Sequence, residues 1–182
     1  GHWIAAREYY QQLVDNYPHS PLPPDARLGL ADVNLAQGSA ETLVLAAAEY
    51  QDFLRVYPTN PRADEAQLGL AMTHFEQMRP PERDQTETRA AIAEFDAFFN
   101  SYPQSELLGE ARARWREARD RLSQSSYEVG IYYLRARWFP GAIDRFREIL
   151  EEDPGFTGRD AVYFHLAESL TGADNPEEAI PY

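Results

Sequence analysis

AAAEYQDFLRVYP, residues Ala46–Pro58, is one of four related runs in this chain. The others are AAREYYQQLVDNYP (Ala5–Pro18), AIAEFDAFFNSYP (Ala91–Pro103) and AIDRFREILEEDP (Ala142–Pro154). Ala6, Ala46, Ala91 and Ala142 each precede the closing proline by twelve residues, and Tyr10, Tyr50, Phe95 and Phe146 precede it by eight. A helix brings these positions to one face, so a small residue and an aromatic recur along one seam and a proline ends each copy. The small residue lets a neighbouring helix approach closely. A fifth copy opens at Asn175, where asparagine is expected as N-cap, Pro176 as first helical residue and Glu178 as capping-box partner, before the next helix reaches Ala179.

The intervening segments repeat as well. LGLADVNLAQ from Leu28 matches LGLAMTHFEQ from Leu68 at an offset of forty, the same offset that separates Pro18 from Pro58. Two helices per unit at such a period predict an all-α fold, an α-solenoid of tetratricopeptide-like hairpins in one repeat domain over residues 1–182. The closing prolines are spaced 40, 45 and 51 residues apart, so insertions lie between helices. RPPERDQTETR, Arg79–Arg89, holds two prolines and is expected to be a loop before Ala91, with Asp84 and Glu87 capping the next helix. After Pro103 a proline-free run predicts one elongated helix over roughly 107–137.

Composition narrows the function. Apolar residues make up 43% of the 182, enough for a continuous core, so disorder is not expected. A formal charge of −13 argues against nucleic acid or an anionic lipid surface as the main partner. All seventeen basic residues are arginine, and cysteine is absent. Schiff-base, P-loop-lysine, thiolate and disulfide chemistry are thereby excluded from these residues. The preference for arginine favours planar, bidentate pairing and carries no functional weight by itself.

Other catalytic constellations also fail. His2, His19, His74 and His165 are far apart, and no two stand at the i, i+4 spacing of helical metal ligands. Packing or hydrogen bonding is the expectation for each, with groove contact the alternative for His74. Ser123, Ser125 and Ser126 lack a companion histidine, and there is no GxSxG turn. Adjacent acids such as Glu151 and Glu152 are ordinary on a solvated helix. Neither an enzyme nor a cofactor or metal site is expected. The run EARARWREARDR holds five arginines, but Glu110–Arg114, Arg116–Asp120 and Glu117–Arg121 interleave them as i, i+4 pairs. A solvated face is therefore expected, with a protein docking surface as the alternative, and Trp115 pointing to that surface or to the core.

The loop RDQTET before AIAEFDAFFNSYP, followed by the long helix with Tyr132-Tyr133 and by RWFPGAIDRFREILEEDPG, resembles the BamD family. Members are tetratricopeptide lipoproteins of the outer-membrane β-barrel assembly machine, and the resemblance covers nearly the whole chain. It implies a non-enzymatic scaffold, lipid-anchored at the periplasmic face of the bacterial outer membrane. It also implies docking to the POTRA domains of BamA through C-terminal repeats, contact with other assembly-machine lipoproteins, and receipt of unfolded outer-membrane protein precursors through N-terminal repeats. On this basis the chain is expected to lack an N-terminal helix and the anchor, and to be cut at its C-terminus.

Site residues follow from the resemblance. Arg145, with Arg137 and Trp138, matches the BamA-docking region, where a guanidinium could pair bidentately with a POTRA carboxylate; an i, i+3 pair with Glu148 is the alternative. First helices line a solenoid's concave groove, which makes Asp32, Leu35, Met72 and Phe75 the candidate precursor surface, with core packing the alternative for Leu35 and Phe75. The loop Arg83, Asp84, Gln85 and Thr86 is expected to cap neighbouring repeats rigidly or to contact another lipoprotein. Two other function classes stay open: a Tol-Pal-associated periplasmic coordinator, and a recruiting domain of a larger enzyme.

Overall fold

The computed structural model describes residues 2–16 and 23–181, apart from the side chains of residues 2–4, 14, 15 and 23. Its helices are α1 (His2–Asn16), α2 (Pro23–Gln37), α3 (Ala40–Val56), α4 (Ala63–Phe75), α5 (Thr86–Ser101), α6 (Leu108–Arg135), α7 (Phe139–Glu152), α8 (Arg159–Gly172) and α9 (Pro176–Ala179). No strand occurs among the described residues. The fold is all-α and tetratricopeptide-like, and the elongated helix is present as the 28 residues of α6. Two compact units emerge: Gly1–Met78 with Thr86–Trp115, and Arg79–Gln85 with Arg116–Tyr182.

In the first unit each helix from α1 to α5 packs on the next, and α2 also reaches α4. Ala46, Tyr50 and Phe53 form the buried stripe of α3, meeting Leu28 and Ala31 of α2 and Ala63, Ala66 and Leu70 of α4. Ser39 caps α3 reciprocally with Thr42, each side chain accepting from the other's backbone N–H. Gly38 just before it has φ +67, a left-handed conformation in which a side chain is strained.

Three of the closing prolines end their helices by one device. Helices α3, α5 and α7 stop two residues before Pro58, Pro103 and Pro154, because a residue preceding proline is pushed out of the α region. Tyr57, Tyr102 and Asp153 occupy that position, and each donates its N–H four residues back, to Phe53, Phe98 and Ile149. Each carbonyl then accepts from three residues ahead, at Asn60, Ser105 and Phe156. Pro18, the first of the series, lies outside the described residues.

In the second unit α7 buries Ala142, Ile143, Phe146 and Ile149 against Ile131 of α6 and Val162, Leu166 and Leu170 of α8. Asp144, Glu151 and Glu152 face solvent. Asp153, 4% exposed, is the polar centre of the unit. Arg116 donates to both of its carboxylate oxygens, and the Ser123 hydroxyl donates to Oδ2 at 2.6 Å. Arg119 donates to the carbonyl of Glu152, an otherwise orphaned acceptor at a helix end, and Asp120 accepts from the Thr157 N–H at 3.0 Å. One face of α6 thus clamps the α7–α8 turn.

Several expectations need correction. The Arg116–Asp120 pair is present at 3.0 Å, but Arg116 and Arg119 also serve the clamp, so the run is not simply a solvated face. Arg114 covers the Phe75 ring at 5.5 Å, and Arg121 donates to the Arg79 carbonyl. Trp115 packs edge-on to Phe99 rather than standing as a free anchor. The loop before Ala91 ends at Gln85, since the stretch from Thr86 carries no proline and is already helical. Glu87 there directs Oε2 to Nδ1 of His74 at 2.8 Å. At α9, Asn175 is N-cap and Pro176 leads the helix, but Glu178 accepts from the Asn175 side chain and pairs with Arg147, so no capping box forms.

Candidate functional site

The end of α6 is built with unusual residues. Trp138 donates its N–H to the Tyr133 carbonyl and Arg137 donates to that of Leu134, the paired bonds of a Schellman motif. The residue just past the helix cap adopts the left-handed region, and here it is Arg137, at φ 58, where glycine is usual. The motif brings Trp138 back over Tyr133, with ring centroids 4.6 Å apart and nearly perpendicular. Gly141 lies under the same indole, so close that a Cβ there would meet it at 2.6 Å. Trp138 nevertheless keeps 56% of its surface exposed, and neighbouring Tyr132 keeps 68%. A rigidly seated, exposed indole beside a tyrosine and an arginine has the composition of an interface anchor.

Arg137→Gly tests the backbone part of this account. Relief of the left-handed strain is expected to raise stability by about 0.5–1 kcal/mol, read as a higher urea midpoint at unchanged slope. A lowered midpoint would show that the Arg137 side chain holds the helix end.

Arg137 also lines a groove of about 840 Å³ between α6 and α8. Its floor is apolar, with Ile131 and Leu134 from α6 and Phe139 from the start of α7, and its lining includes the acids Glu128 and Glu168. His165 lines it as well, fixed through Nδ1 to Glu168 Oε2 at 3.0 Å and stacked on Phe146. Apart from Arg137 and His165 the lining residues are not among the sequence-based candidates, although Glu128, Ile131 and Leu134 recur on α6 at a helical spacing. Arg145 is not among the lining residues. Its guanidinium pairs with Glu148 on the same helix at 2.6 Å, and both side chains are 42% exposed. The i, i+3 pair is therefore formed, and an exposed pair of this kind exchanges readily for another carboxylate because it is worth little.

In the first unit the candidate groove residues separate. Phe75 is buried edge-on against Phe95, so it belongs to the core. Leu35 and Met72 are half-buried, and Leu35 packs on the α2–α4 core. Asp32 remains exposed, while its Oδ1 accepts from the buried Tyr50 hydroxyl at 2.6 Å. Although Asp32 as a whole keeps an exposed surface, its carboxyl is partly desolvated, which raises it above its ordinary pKa despite that bond, and burial together with the Asp32 charge drives the Tyr50 hydroxyl far upward. In the loop, Arg83, Asp84 and Thr86 are exposed, and Gln85 is buried, donating to the Pro80 and Arg83 carbonyls at 2.8 and 3.0 Å. The glutamine amide holds the loop's form, and its neighbours project from it.

His74 is held by Glu87, as noted above, while His19 and the side chain of His2 lie outside the described residues. Among the described residues, no three His, Asp or Glu side chains converge as a metal site requires, and no helix is long and apolar enough to cross a membrane.

The chain is 26% identical over 179 residues to the outer membrane protein assembly factor BamD of Caulobacter vibrioides, covering 98% of this chain and 58% of that protein. It is also 26% identical over 164 residues to the protein of the same name from Vibrio cholerae, covering 85% of this chain and 67% of that one. The chain thus spans little more than half of the first relative's length. The family model described as YfiO, outer membrane lipoprotein, matches residues 1–169. With a match over nearly its whole length, on a tetratricopeptide-like helical fold, the chain belongs to the YfiO family of outer membrane lipoproteins.

Proposed function

We propose that residues 1–182 act as one non-catalytic repeat scaffold in outer-membrane protein assembly, lipid-anchored in the full-length protein at the periplasmic face of the outer membrane. Its second unit docks the POTRA domains of BamA, and its first unit receives unfolded precursors, with Asp32, Leu35 and Met72 as contacts. The family match and the names of both relatives support the assembly role. The observation that carries the docking assignment is the end of α6, where a Schellman motif fixes Trp138 outward beside Arg137, with Arg145 following on α7. Such a surface offers an aromatic anchor and exchangeable guanidiniums, the two features that concentrate binding energy at protein interfaces. The loop Arg83, Asp84 and Thr86, held by Gln85, is assigned to another lipoprotein of the same machine.

Arg145→Glu tests the docking assignment, with the POTRA domains of the same organism's BamA as probe. The reversal replaces an attraction with a repulsion and is expected to weaken capture by about 10- to 100-fold. Capture by the variant at native strength would remove Arg145 from the interface. Failure of the native chain to capture the POTRA domains would overturn the docking assignment itself.

A further inference from the structure

A second cleft, of about 460 Å³, lies wholly within the first unit, where α1, α2 and α3 meet. From α3 it is lined by Glu41, Leu45 and Glu49, which stand at i, i+4 and i+8 and so form one stripe. From α1 come Arg7, Glu8, Gln11 and Gln12, and from α2 come Leu30 and Asn34. Arg27 stands 3.7 Å from Glu49. Counting both arginines, the three carboxylates still leave the cleft negative.

Asn34 is the informative residue. It is 2% exposed, and its side-chain oxygen has no hydrogen-bond partner. Buried amide oxygens are nearly always satisfied, because leaving one unmade sacrifices its hydration without return. The repeat supplies an internal comparison. Asn34 corresponds to His74 forty residues later, and His74 receives a carboxylate from α5 through Glu87. The same position is thus satisfied from within the chain in one repeat and left open in the other, at the wall of an acidic cleft.

We propose that this cleft receives an arginine side chain of a partner protein. The guanidinium has donors in a planar fork, so one edge can serve the Asn34 oxygen while another meets a carboxylate of the Glu41–Glu49 stripe. Leu30 and Leu45 supply apolar surface for its methylene stem. A carboxylate or phosphate ligand would offer only acceptors to an acceptor and would meet like charge. The site uses no residue of the docking surface on the second unit, so loss of POTRA capture leaves it standing.

The test is an NMR titration of the ¹⁵N-labelled chain with the capped peptide Ac-Ala-Arg-Leu-Ala-NH₂ and its citrulline counterpart. Citrulline keeps the shape and removes the charge. The arginine peptide is expected to shift the Asn34 side-chain amide and the backbone amides of Glu41 through Glu49, and to bind about tenfold more tightly than the citrulline peptide. Asn34→Leu removes the acceptor, and Glu41→Gln, at an exposed position, removes one charge without touching the core. Each is expected to weaken the arginine peptide severalfold, with the helical circular dichroism of Glu41→Gln unchanged. Equal affinity for the two peptides, shifts confined to other helices, or native affinity in Glu41→Gln together with folded Asn34→Leu would each overturn the site.

Discussion

Asp153→Ala is expected to destabilise the second unit by about 3 kcal/mol, the scale for breaking one side of a buried ion pair. The carboxylate is 4% exposed and takes hydrogen bonds from Arg116 and Ser123. Its loss removes the buried carboxylate from the Arg116 guanidinium, which also pairs with Asp120, and strips the Ser123 hydroxyl of its acceptor. The damage should be local. Amide hydrogen exchange is expected to accelerate first at the turn between α7 and α8 and at the end of α7, where Arg119 and Asp120 hold backbone groups from α6. Ser123→Ala removes one hydrogen bond and is expected to cost about 1 kcal/mol. A cost below that value for Asp153→Ala would show that the clamp is ornamental.

The same group sets an acid limit. Burial tends to raise the Asp153 carboxyl, but the hydrogen bonds from Arg116 and Ser123 and the charges of Arg116 and Arg119 outweigh it and hold the pKa below the ordinary 3.8. A folded pKa below the unfolded one means that the unfolded chain binds the proton more readily. This contribution to stability is therefore present above pH 3.8 and fades as pH falls below it and through the folded value. Asp153→Asn should show a flatter acid limb than the native chain, and a parallel limb would place the titrating group elsewhere.

The fourth repeat copy shows how far the sequence could be read. Three copies close on Tyr-Pro and the fourth on Asp-Pro, and the backbone does the same thing at Tyr57, Tyr102 and Asp153. That substitution of an acid for an aromatic was visible, but its partners were not. Arg116 and Ser123 lie 37 and 30 residues away, and periodicity along one helix cannot pair residues across helices. For the same reason the arginines of α6 read as local i, i+4 pairs. The fold itself was legible, since the Ala and aromatic seam, the insertions and the long helix all follow from spacing. The candidate site was less so. Arg137 and Trp138 were reached through family resemblance, and what seats them is a helix cap whose left-handed arginine no propensity would place there.

The seam uses a second small residue besides alanine. Ala46, Ala91 and Ala142 are fully buried, and three of the rings that follow the seam alanine by four residues, Tyr10, Tyr50 and Phe146, each bed on a glycine of a neighbouring helix. A Cβ added to Gly29 would meet Tyr10 at 2.7 Å, one at Gly69 would meet Tyr50 at 2.3 Å, and one at Gly130 would meet Phe146 at 2.5 Å. These distances predict a sign reversal between two substitutions. Phe146→Ala alone removes a fully buried ring and is expected to cost about 3–5 kcal/mol. Gly130→Ala alone drives a methyl into that ring and is expected to cost about 1–3 kcal/mol despite alanine's better helix propensity. In the Phe146→Ala background the obstructing ring is gone, so the added methyl fills part of the cavity and the propensity gain of about 1 kcal/mol becomes visible. Gly130→Ala is then expected to stabilise. Urea unfolding of the four proteins gives the coupling directly, and additive costs would mean that the ring and the glycine do not constrain each other.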